Sequence, residues 1–123
     1  MLTERDVLID VIRLAPENSE WIISTDSWEE IPNLFREFSF ITCDQGWKIL
    51  LNNKTRNSVI EIVEKFEIYE KIVHQQIIIK NETIFKSYDH MSCSFIKTNF
   101  PDFSILTEKY KELELLGILG MDK

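Results

Sequence analysis

Glycine and proline are scarce in this chain of 123 residues, with three of each. Long flexible linkers are thereby excluded, and the whole of 1–123 is expected to fold as one domain. The three glycines, at 46, 117 and 120, are too far apart to build a phosphate-cradling loop, which needs closely spaced glycines. Two cysteines, Cys43 and Cys93, lie fifty residues apart. Neither belongs to a zinc-type spacing, and free thiols in a reducing compartment are the expectation. No run approaches the roughly 18 apolar residues of a membrane span. Glu4, Arg5 and Asp6 stand where a signal peptide would need its apolar core, so a soluble, cytoplasmic protein is expected.

Basic residues are missing from one stretch in particular. Between Glu17 and Asp44 there are seven acids and a single base, Arg36. Residues 45–123 carry eleven acids and eleven bases, so the formal net charge of −7 is almost entirely local. A concentrated acidic field attracts a basic partner and repels nucleic acid. The bases elsewhere are scattered and matched by acids, so nucleic-acid binding is not expected.

The apolar fraction of 44% is sufficient for one core. Val7, Leu8, Val11 and Ile12 form a helical stripe over Glu4–Leu14, with Thr3 and Asp6 as a capping pair and Pro16 as the stop. Glu20–Thr25 reads as a strand. Ser27 and Glu30 form a second capping box, and Ile31, Leu34, Phe35 and Phe38 follow on one helical face. Phe40–Cys43 and Gly46–Asn52 read as a hairpin, with Trp47, Ile49 and Leu51 on one side. A helix from Ser58 to about Phe66, capped by Asn57 or Ser58, is expected to bury Val59, Ile62, Val63 and Phe66. Ile72–Lys80, Thr83–Tyr88 and Ser92–Lys97 read as strands, the first two joined by a turn at Asn81-Glu82. Pro101 precedes a last helix, Phe103 to Leu116, which Gly117 closes. The order predicts an α+β domain, a mainly antiparallel sheet with helices packed on it.

Motifs for catalysis are absent. Asp89 and His90 are neighbours, and strand neighbours point to opposite faces, whereas a base and its orienting carboxylate must meet side by side. Cys93 shares strand parity with Met91 and Phe95 and is expected in the core, as packing rather than as a nucleophile. His74, His90, Cys43, Cys93 and Asp89 match no metal-ligand spacing. Glu61, Glu64, Glu67 and Glu70 read as a solvated helix face. No enzyme activity, metal or cofactor is expected.

The acidic stretch also contains Trp21 and Trp28, and aromatic residues ringed by charge are typical of binding hot spots. Asp26, Glu29, Glu30, Glu37 and Asp44 are the expected charged contacts to a basic protein partner, with Trp28 as an anchor. In size, acidity, cytoplasmic character and lack of catalytic motifs, the chain resembles immunity proteins of bacterial polymorphic and contact-dependent toxin systems. The resemblance implies a protein that neutralises a cognate toxin, commonly a nuclease, by covering its active surface. Two other readings remain open at this level: an adaptor or accessory subunit using the same acidic face, and a small enzyme with a site around Asp89, His90 and His74.

Overall fold

A computed structural model describes residues 2–25, 35, 39–41, 47–66, 72–88, 91 and 93–119. Among these, three helices accompany one sheet of seven strands. The first helix, α1 (Glu4–Leu14), begins where the Asp6 carboxylate accepts the Thr3 N–H at 2.8 Å and the Thr3 hydroxyl at 3.3 Å. It ends at Ala15, whose φ of −56° and ψ of 142° is the extended geometry that a following proline imposes. Val7, Leu8, Val11 and Ile12 are fully buried, as the stripe predicts.

The strands are β1 (Ser19–Thr25), β2 (Ser39–Ile41), β3 (Trp47–Leu51), β4 (Ile72–Ile79), β5 (Glu82–Tyr88), β6 (Cys93–Ile96) and β7 (Gly117–Ile118). Their spatial order is β2-β3-β1-β4-β5-β6-β7, antiparallel throughout except for the β6–β7 pair. The other helices are α2 (Arg56–Phe66) and α3 (Phe103–Tyr110). Buried residues of all three helices join Trp21, Ile23, Ile49, Leu51, Ile77, Phe85 and Ile96 of the sheet in one core. This is the α+β architecture expected.

One face of the sheet supplies that core. Across the strands, Trp21 pairs with Ile49 and Ile77, and Ile77 with Phe85, which pairs with Ile96. All five are completely buried. Two register shifts enlarge the buried set. The irregularity opposite Ser24/Thr25 turns Ile72 as well as Gln75 and Ile77 inward, and the one at Ile77/Ile78 lets both Ile84 and Phe85 be buried.

Several expectations need correction. Helix α2 starts at Arg56, so Asn57 and Ser58 lie inside it rather than capping it. The Asn52 side chain organises the approach by accepting the N–H of Lys54 and of Thr55 at 2.8 and 3.0 Å. Ile60 is buried in α2, Ile62 only partly, and Phe66 is 44% exposed. The β4–β5 turn is centred on Lys80 and Asn81, one residue earlier than expected. Their φ values of 52° and 65° suit the mirror-image turn that matches strand twist. The last helix stops at Tyr110, and Leu113 is 41% exposed. Glu114 adopts a left-handed φ of 55°, which redirects the chain into β7. Gly117 is therefore a strand residue and not a helix stop. A Cβ there would lie 2.7 Å from the Phe95 ring, so only glycine fits without displacing it. Cys93 is exposed and carries a free thiol, because β6 turns Ser94 and Ile96 to the core instead. The helix expected after Ser27 lies outside the described residues apart from Phe35, which is buried and meets Trp21 edge-on at 5.6 Å.

Candidate functional site

The strand register makes several described strand ends neighbours. Thr25 pairs with Ile72, and Ser24 with His74. His74 in turn pairs with Tyr88, and Tyr88 with Cys93. On the other side Ile23 pairs with Trp47, and Trp47 with Ile41. The described strand ends that flank 26–38, 42–46, 67–71 and 89–92 are therefore neighbours in successive strands. By sequence these four connections contain eight carboxylates against the two basic side chains Arg36 and Lys71. The expected contacts Asp26, Trp28, Glu29, Glu30, Glu37 and Asp44 all belong to them, as do Asp89 and His90, and all lie outside the described residues.

Two acids of the charged stretch are described, and both have basic partners from elsewhere in the chain. Glu17 lies 3.4 Å from the Arg56 guanidinium and accepts the Asn53 N–H at 3.2 Å. Glu20 lies 3.6 Å from Lys48 on the neighbouring strand. These two carboxylates serve the fold. Sequence proximity alone could not reveal this, since Arg56 and Lys48 lie beyond the acidic stretch. Trp21, also within that stretch, is no surface anchor: it is completely buried and its indole N–H donates to Gln75 Oε1 at 2.7 Å.

That bond begins a polar row inside the core. The side-chain amide of Gln75 donates to Ser87 Oγ at 3.4 Å, and Ser87 pairs in register with Ser94 of β6. Gln75, Ser87 and Ser94 are all buried. The row ends without completion, because the Ser94 Oγ has no hydrogen-bond partner. Buried polar atoms are nearly always paired, which makes this hydroxyl the exception to explain.

Ser94 forms part of the wall of a cleft of about 790 Å³ between α3 and the β6–β7 edge. Phe95, Leu116 and Ile118 supply apolar surface, and Thr107 a second hydroxyl. Glu108, Lys111 and Glu114 border it and are exposed. The volume lies within the range of about 300–1,000 Å³ typical of ligand sites. A two-residue β7 borders the opening: it pairs with Phe95 and Ile96, so among the described residues no strand lies beside Cys93 and Ser94 of β6 on that side.

The sheet face away from the helices carries His74 and Tyr88, whose rings meet edge-on at 5.6 Å, with the Lys86 ammonium 5.4 Å from the Tyr88 ring centre. Among the described residues no three His, Cys, Asp or Glu side chains cluster to hold a metal. No described helix is long and apolar enough to cross a membrane. Comparison with family models, with curated proteins and with solved structures returns no match.

Proposed function

We propose that this protein is an acidic protein-binding module, an immunity protein that neutralises a basic toxin domain by occluding its active surface. The observation that carries this reading is that the described strand ends adjoining the carboxylate-rich segments in sequence are neighbours in the sheet. Connections rich in carboxylate are flanked there by adjacent strand ends, while Glu17 and Glu20, outside those connections, are taken up by ion pairs within the fold. A nuclease must present positive charge to phosphates, and carboxylates can cover that surface in place of a nucleic-acid backbone. Asp26, Glu29, Glu30, Glu37 and Asp44 make the charged contacts, and Trp28 is the anchor. An adaptor or accessory subunit would use the same surface without inhibiting its partner.

The test combines affinity capture from the native host with a variant in which those five carboxylates become the corresponding amides. The wild-type chain should retain one basic protein at low salt and lose it as salt rises, because the Debye length shrinks from roughly 30 Å at 0.01 M to about 10 Å at 0.1 M. The five-amide variant should fold normally and retain nothing. Equal retention by the variant removes the assigned contacts. A retained protein whose activity is unchanged by this chain favours the adaptor.

A further inference from the structure

We propose that Ser87 and Ser94 hold a single internal water molecule between them, and that this water completes a polar row running through the core from β1 to β6. The inference is independent of the partner reading and concerns a binding site inside the fold.

The strand register sets the place. Gln75 pairs with Ser87 and Ser87 with Ser94, so the three side chains share the inner face of the sheet. Ser87 is 1% exposed and Ser94 5%. Phe85 and Ile96, the neighbouring inward pair of the same two strands, are completely buried. Bulk solvent is therefore kept from both hydroxyls, and a partner for them has to be internal.

The direction of the hydrogen bonds leaves two facing groups unmatched. The Trp21 indole N–H donates to Gln75 Oε1, and the Gln75 amide donates to Ser87 Oγ. A hydroxyl that accepts still has its own proton to give. Among the described residues the Ser87 O–H meets no acceptor, and the Ser94 Oγ has no partner of either kind. The two serines thus lie opposite each other without bonding directly. Opposed side chains have Cβ atoms about 4.5–5.5 Å apart, a separation that suits one molecule about 2.8 Å from each oxygen. A water there accepts from Ser87 and donates to Ser94. Buried waters make two to four such bonds, and these hydroxyls supply two. The occupant is neutral by the same environment. Among the described residues the buried polar ones are Ser19, Gln75, Ser87 and Ser94, all uncharged, so an ion would be stranded.

Magnetic relaxation dispersion of the water oxygen counts long-lived internal waters in the full chain. Wild type should hold one more than Ser94→Val, whose extra methyl carbon fills the space beside Ser87. Ser94→Ala should melt a few degrees below wild type, because it strands the Ser87 proton and its water. A high-resolution crystal structure of wild type should show one ordered water bonded to both Oγ atoms.

Equal water counts in wild type and folded Ser94→Val overturn the proposal. So does an unchanged or raised Tm for Ser94→Ala, since an unpaired buried hydroxyl is removed without loss. The crystal structure decides without either variant. A Ser94 Oγ bonded directly to Ser87 or to a backbone carbonyl, with no water between the serines, overturns the proposal even where Ser94→Ala is destabilised.

Discussion

The hydroxyl of Tyr110 donates to the carboxylate of Asp10 at 2.5 Å, joining α3 to α1 across 100 residues of sequence. Lys109 reaches the same carboxylate at 2.7 Å, and Arg13 approaches it from within α1 at 3.4 Å. Tyr110 is completely buried and Asp10 is mostly shielded, so this cluster fastens the last helix to the first.

Tyr110→Phe should lower stability by about 1.5–3 kcal/mol, the usual net value of a hydrogen bond to a charged group. Urea unfolding followed by circular dichroism measures it, and a midpoint equal to wild type would show that the Lys109 and Arg13 contacts suffice. A pH dependence follows from the same residue. Burial, and then the hydrogen bond and charge of Asp10, raise the Tyr110 pKa well above its ordinary value. A raised pKa contributes stability that is complete below the unfolded value of about 10 and is lost as pH climbs beyond it. Wild type should therefore lose stability above about pH 10 more steeply than Tyr110→Phe.

Arg56 closes the C-terminal end of α1 from the start of α2. Its guanidinium donates to the carbonyls of Ile12 and Ala15, each at 2.7 Å, and to that of Arg13 at 3.3 Å. Helix C-termini leave carbonyls unsatisfied, and a cation there also complements the helix dipole. Arg56→Ala should cost about 2–3 kcal/mol by stranding those acceptors. Glu17→Gln, which removes only the 3.4 Å ion pair, should cost under ~1 kcal/mol, since Glu17 is substantially exposed. Comparable losses in the two variants would shift the weight from the carbonyls to the ion pair.

Trp21→Phe should destabilise the fold by about 2–4 kcal/mol, combining lost volume with an unpaired Gln75 oxygen. Gln75→Leu in the same background should recover part of that loss, because both polar partners are then gone. Chemical denaturation of the single and double variants reads the coupling, and strict additivity would dismiss the Trp21–Gln75 bond as a stabilising contact.

Cys93 should react with a thiol reagent in the native protein, without denaturant. The measurement compares wild type with Cys93→Ser. Equal labelling of the two before unfolding would contradict the exposure of this thiol.

Sequence periodicity was sufficient where burial follows the chain's own repeat. The α1 stripe with its Thr3–Asp6 start, the inward set Ile49 and Leu51 in β3, and the β4–β5 hairpin were all legible, because helix and strand periods decide which neighbours share a face. Periodicity failed where one residue breaks the register. Parity with Met91 predicts Cys93 inward, but Met91 has a φ of 69°, so the alternation does not run through it from β6. Leu113 keeps helical spacing and so predicts a longer final helix, whereas the left-handed Glu114 and the tight fit of Gly117 against Phe95 belong to a strand pairing.

The sequence by itself determined the α+β class, the order of most elements and the concentration of carboxylates between residues 17 and 44. Only the tertiary structure decided what individual polar groups do. It drew Glu17 and Glu20 into ion pairs with Arg56 and Lys48, buried Trp21 against Gln75, and left the Ser94 hydroxyl unpaired beside an open cleft. The reason is physical. Backbone periodicity is a local property carried by neighbouring residues, whereas the pairing of a charge or hydroxyl depends on strand register and helix placement, which join residues that are dozens of positions apart.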